Sequence, residues 1–269
     1  MGGCQSLDVV IPSRNQPQQG VFLEKAVRSI ETQTILPALD VRILIAADPG
    51  VQSSVIPVSD RCSIRVLEAD RPSQASALNA GLSVAEASYV AFLEDDDQWE
   101  PPFLEVTLPS LQQLSGSGRS LGLVSSTQLE VDSSGDVERV NDFATPSGWL
   151  TTSSTLKAVG PFDSSFRWHL DNDWLGRAFA QRVPRLHWVE STAPLKPQHL
   201  AQVRPWLLKV LQLSGGTCQL RRHDWPTPLI RRLVHPGSGM AQIAIDPERQ
   251  TQSRDEQARL RSLYGRCPW

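Results

Sequence analysis

The first hundred positions of the chain alternate between short apolar runs and stretches in which apolar residues recur every three or four places. LDVVIP, 7–12, is a β-branched run, and FLEKAVRSI, 22–30, then places Phe22, Leu23, Ala26, Val27 and Ile30 on one helical face. The alternation continues. VRILIAAD (41–48) and IRVLEAD (64–70) read as buried strands, SQASALNAGLSVAEA (73–87) as an Ala-rich helix, and YVAFLEDDD (89–97) as a strand with acids at its carboxyl end. Pro101 and Pro102 mark the start of a further helix ending near Leu114. Strands alternating with helices predict an α/β fold, a mostly parallel sheet with helices on both faces.

The second half is less regular. Residues 121–140 read as a hairpin turning at DSSGD, and 185–191 as a strand. A helix starts near Asp171, with Trp174, Leu175, Ala178 and Phe179 as its apolar face and Asp173 placed to pair with Arg177. Val203, Trp206, Leu207, Val210 and Leu211 give helical spacing to 198–213, where Pro205 marks a start or a kink. That helix is equally compatible with covering an acceptor or touching a lipid surface. The final charged segment, 247–265, is a helix or a frayed tail. This organisation divides the chain into a core, 1–190, and a C-terminal region, 191–269, with helix, returning strand and charged tail.

Totals exclude some partners. Lys and Arg number 26 against 29 Asp and Glu, a net charge of −3, which offers nucleic acid no electrostatic handle. No apolar run is long enough for a membrane span, and MGGCQSLDVV lacks the regions of a secretory signal, so a soluble, cytoplasmic protein is expected. The four cysteines are far apart and suggest neither a zinc site nor a disulfide framework.

In open parallel sheets, ligands bind outside the carboxyl ends of the strands. There the pattern gathers Pro12, Ser13, Arg14, Asn15, Asp48 and the acids Glu94, Asp95, Asp96 and Asp97. Adjacent carboxylates repel one another, and a hard divalent cation such as Mn²⁺ or Mg²⁺ offsets that repulsion with oxygen ligands. A solvated turn is the alternative.

The series VVIPSRN, ILIAADPG, ALNAGL, YVAFLEDDDQWEP, and GPFDSSF followed by LDNDWLGR resembles the family 2 glycosyltransferases, over residues 7–180. The resemblance implies the GT-A fold and a metal-dependent, inverting transfer of a sugar from a nucleotide-diphosphate donor, UDP-sugar by default, to an unidentified acceptor hydroxyl. It assigns Asp95, Asp96 and Asp97 to the D-x-D motif, with Asp97 the direct metal ligand and Asp95 beside it. Pro12, Ser13, Arg14, Asn15 and Asp48 would line the nucleotide pocket, together with Ser76 and Asn79. Asp171 corresponds to the catalytic base, for which a helix N-cap is the competing role, and Asp173 to its neighbour on the acceptor side. His235, in LVHPGSG, would return to the diphosphate and metal, and Trp149 would line the acceptor side. Arg231 and Arg232 read as solvated charges. Two positions depart from the family: Ala47 replaces the first acid of the usual D-D-G-S, and Leu170 the usual Glu. A nucleotidyltransferase of related fold and a decayed, glycosyltransferase-like binding module are the alternatives; against the first, PSRN is not a Gly-rich loop.

Overall fold

A computed structural model of the chain describes residues 5–14, 20–50, 57–116, 120–191 and 218–268. The alternation seen in the sequence becomes β1 (Gln5–Ser13), α1 (Gly20–Glu31), β2 (Leu39–Ala47), β3 (Ser63–Glu68), α2 (Gln74–Ser83), β4 (Tyr89–Phe92), β5 (Gln98–Trp99) and α3 (Phe103–Ser115). The second half adds β6 (Leu123–Ser126), β7 (Gln128–Val131), β8 (Val137–Asn141), β9 (Leu150–Thr152), α4 (Ser153–Val159), α5 (Leu170–Ala180), β10 (Arg185–Val189), β11 (Cys218–Arg222) and β12 (Ile230–Leu233). Two helices, α6 (Gly239–Ile245) and α7 (Pro247–Tyr264), follow. The predicted helix at 198–213, with Trp206, lies outside the described residues, as does Asn15.

Eight strands form the main sheet in the order β11-β10-β6-β9-β4-β1-β2-β3, and all are parallel except β9. Because side chains alternate along a strand, β1 feeds two cores. Leu7, Val9 and Ile11 pack with Ile43 and Ile45 beneath α1 and α3, and Val10 packs with Leu44 and Leu78 beneath α2. Pro12 is tolerated in this central strand because the β4 ladder ends at Val10, so no pairing on that side needs its missing N–H.

The sequence places several boundaries differently. The Ala-rich helix stops at Ser83 because the buried Asp8 carboxylate takes the amides of Glu86 and Ala87, at 2.7 and 2.9 Å, and draws the chain into β4. The expected 121–140 hairpin is a strand that changes sheets. Its first part, β6, stays in the main sheet, and at Thr127, whose hydroxyl donates to Glu190 at 2.7 Å, the chain crosses to a second sheet, β5-β12-β7-β8. Only β7 and β8 form the hairpin, turning at Asp132, which accepts the amides of Ser134 and Asp136. Past residue 217, β11 extends the main sheet and β12 completes the second.

Candidate active site

Strand β4 ends at Phe92, short of the acids. Leu93 still donates to Val10, at 3.1 Å, and the chain then folds into a tight turn closed by the Asp97 amide on the Glu94 carbonyl, at 3.1 Å. The turn gathers carboxylate oxygens of Glu94, Asp96 and Asp97 within 4.8 Å of one another. An oxygen-only set of this kind fits a hard divalent cation. Asp95, expected among the metal ligands, points elsewhere: Ser13 Oγ donates to its Oδ2 at 2.7 Å, because the turn alternates its side chains and sends this one toward the end of β1. Glu94 takes its place in the cluster.

Each acid is held from outside the turn. Ser147 Oγ donates to Asp97 Oδ2 at 2.6 Å and accepts the Glu94 amide at 3.0 Å. Ser147 is placed by Trp99, whose indole N–H donates to the Ser147 carbonyl at 2.7 Å and whose ring stacks on Phe103. From the second sheet, the Leu233 amide donates to Asp97 Oδ1 at 3.2 Å, and His235 Nε2 lies 3.0 Å from Asp96 Oδ2. The structure thus brings His235 to the acids. Arg14 links the same loop to β1 by donating to the Gly237 carbonyl at 3.2 Å.

The electrostatics of the turn are strained. Burial, with repulsion from Asp96, pushes the Glu94 and Asp95 carboxyls up to about 7, and Asp97 well above the usual carboxylate range. Arg232 is not the solvated charge the sequence suggested. It is half-buried and donates to Glu130 at 3.1 Å. Burial disfavours its cation, yet Asp97, Glu94, Glu130 and Asp96 outweigh that and raise its pKa. Arg231, one residue earlier, pairs instead with Glu100 at 3.3 Å.

Beside the acids, the Asp48 amide donates to the Ser13 carbonyl at 2.9 Å, so the ends of β1 and β2 are tied together. Burial raises the Asp48 carboxyl, while Arg14, the Ser73 amide and Arg167 pull the other way. Two residues expected in this pocket are engaged otherwise. Asn79 forms a two-way bond with the Phe162 backbone, at 2.9 and 2.8 Å, and so fastens α2 to the loop before α5. Ser76 lines a cavity of about 530 Å³ between α2 and β3, with Glu68, Arg71, Ser164 and Leu67.

Asp171 lies in the first turn of α5 and is not its N-cap; His169 holds that position, without a side-chain capping bond. Its carboxyl is raised by burial, Arg232 is among the charges that lower it, and Asp171 in turn adds to the repulsion on Glu94. The base candidate and the acid turn therefore share one electrostatic neighbourhood. Asp173, two residues on and so on the opposite side of the helix, is buried away from it. It accepts from Arg177 at 2.9 Å and from the Tyr264 hydroxyl at 2.6 Å, which corrects the acceptor-side expectation. Trp149 is corrected too. It is fully buried among Phe92, Phe162 and Trp174, with its indole N–H on the Ala144 carbonyl, and has no open face for a sugar ring.

A mostly parallel sheet with an acid turn at the carboxyl end of its fourth strand is the arrangement of the GT-A fold. Residues 8–118 match the family model described as glycosyl transferase family 2. Among solved structures, TarS 1–349 of S. aureus in complex with UDP superposes with a TM-score of 0.54 at 10% identity, over 97% of this chain and 72% of that one. TarS 1–349 in complex with UDP-GlcNAc gives 0.52 at 11%, over 97% and 82%. The mannosyltransferase PcManGT from Pyrobaculum calidifontis, in complex with GDP-Man and Mn²⁺, gives 0.52 at 12%, over 95% and 75%. A longer TarS structure is covered over 42% of its length. At such identities these likenesses establish the fold. No curated protein matches the chain in sequence. Among the described residues, no helix is long and apolar enough to cross a membrane.

Proposed function

We propose that the protein transfers a sugar, with inversion, from a nucleotide-diphosphate donor to an acceptor hydroxyl, and that it uses Mn²⁺ or Mg²⁺. The observation that carries this reading is the cluster of Glu94, Asp96 and Asp97, joined by His235 through Asp96, beside Ser13 and Asp48. A cation held there would supply Lewis-acid stabilisation of the leaving diphosphate. Ser13, Asp48 and Asp95 would bind the nucleoside, with Pro12 and Arg14 shaping that wall. The UDP and UDP-GlcNAc bound by TarS and the GDP-Man bound by PcManGT support a nucleotide-diphosphate donor; UDP-sugar is our choice between the bases.

Asp171 would act on the acceptor. As the acceptor oxygen bonds to the anomeric carbon and the bond from that carbon to the diphosphate oxygen breaks, Asp171 takes the hydroxyl proton. Its burial, which raises the carboxyl, increases its basicity. Leu170, where the family carries Glu, is buried in the core beneath α5 and leaves Asp171 as the carboxylate of that pair.

Calorimetric titration of UDP and GDP, with and without Mn²⁺, into wild type and Asp97→Ala tests the reading. Mn²⁺-dependent binding of UDP, lost in the variant, is expected. Tighter GDP binding would change the donor base, and absence of binding by either nucleotide would overturn the reading.

A further inference from the structure

The helix that carries Asp171 is gripped by the C-terminal helix, and one residue of that helix dominates the grip. The amides of Arg167, Trp168 and His169, the three residues before α5, all donate to the Glu256 carboxylate, at 2.7, 2.9 and 3.0 Å. Ser253, one turn earlier on α7, meets His169 Nε2 at 2.8 Å, and His169 Nδ1 reaches Asn172 Oδ1 at 3.1 Å. Asn172 in turn donates to the Pro268 carbonyl at 2.6 Å. Further along, Tyr264 donates to Asp173 and packs so tightly on Gly176 that a Cβ there would lie 2.6 Å from its ring. Both flanks of Asp171 are thus held by the last turns of the chain.

The arrangement solves a specific conflict. The start of a helix leaves amides without partners, and an Asp in the first turn is well suited to fold back onto them. Asp171 is such a residue and already accepts the Asn172 amide at 2.9 Å, while His169 at the N-cap supplies no side-chain acceptor, so the amides ahead of it need another partner. Glu256 brings an anion from outside to the amides just ahead of the helix, where negative charge is favoured.

We propose that Glu256 is a positioning residue for catalysis: by taking the three amides ahead of α5 it fixes the start of the helix, and with it the place of the Asp171 carboxylate. This role rests on Asp171 being the base. Truncating Glu256 frees the three amides and loosens the start of α5, so Asp171 shifts, and small misplacements of a reacting group cost rate steeply.

The test compares wild type, Glu256→Ala, Glu256→Gln, Asp171→Asn and the double variant Asp171→Asn/Glu256→Ala. Release of nucleotide from UDP-GlcNAc and from GDP-mannose, in Mn²⁺ with water as acceptor, gives kcat and KM, and UDP affinity is read by calorimetry. Expected for Glu256→Ala is a kcat loss of about 10- to 100-fold with KM and UDP affinity held within about twofold. Glu256→Gln, which keeps an acceptor oxygen, should fall between. The double variant should be no slower than Asp171→Asn alone, because Glu256 acts through Asp171. Hydrogen exchange should show the amides of 167–169 opening faster in Glu256→Ala. Wild-type kcat in that variant, with Asp171→Asn inactive, would overturn the proposal alone, as would additive losses in the double variant or unchanged exchange. Full activity in Asp171→Asn, or no turnover by wild type, would remove the base assignment and the positioning role with it. Should Glu256→Ala fail to fold, Glu256→Gln and Ser253→Ala carry the same comparison.

Discussion

Ser147 has no titratable group, yet its hydroxyl holds Asp97 and receives the Glu94 amide, so two of the three clustered acids depend on it. Residues that orient metal ligands commonly contribute 10- to 100-fold to affinity. Ser147→Ala should therefore weaken Mn²⁺ binding by at least about tenfold while leaving the fold intact, as calorimetry and circular dichroism would show; unchanged affinity would mean the acids orient themselves. Nothing in TPSGWL announces this role, because it arises from Trp99 fixing a loop distant in sequence. The acids themselves were legible as a group. Which of them converge was not: Asp95 leaves the cluster and Glu94 joins it only through the turn's geometry. Trp149 misled for a related reason, since a buried and an exposed tryptophan look alike in an irregular stretch.

At the level of elements, the helices and strands of the first hundred residues follow from periodicity, because each buries one face and the pattern records it. Short pieces do not. Strand β9 has three residues and β5 two, too few to show a period, although β9 supplies the antiparallel reversal in the main sheet. Helix α2 shows how closely the elements meet. At Gly81 an added Cβ would lie 2.5 Å from Val10 Cγ1, in the centre of β1. Ala favours a helix over Gly by up to about 1 kcal/mol, but overpacking costs about 1–3 kcal/mol. Gly81→Ala should thus lower the urea midpoint; a rise would show that α2 can retreat from the sheet.

Across the whole molecule, buried titratable groups set opposing trends with pH. Glu94 and Asp95 are raised by burial to about 7 from ordinary values of 4.5 and 3.8, so between those limits the folded state keeps protons that the unfolded chain has released. Stability then falls as pH rises. Burial lowers His223 to about 4 from 6.5, which makes stability rise with pH over that window and leaves it level above. Above pH 6.5 the carboxyl trend therefore stands alone. Metal-stripped protein should lose thermal stability from about pH 6.5 to 7 and level off above that, Mn²⁺ should restore it, and Asp95→Asn should flatten the fall. A melting temperature that does not move with pH, metal or substitution would place these carboxyls in water.

The dependence of the acid turn on β12 has a consequence for synthesis on the ribosome. Strands β1 to β4 can pair as soon as residue 92 is free, since none of their partners comes later than β4 on that side of the sheet. The Leu233 amide and His235 are made more than a hundred residues afterwards, with |i−j| of 136 and 139 from their acids. For that interval the nascent chain carries a crowded acidic turn without its later supports, and helix α7, which grips the start of α5, emerges later still.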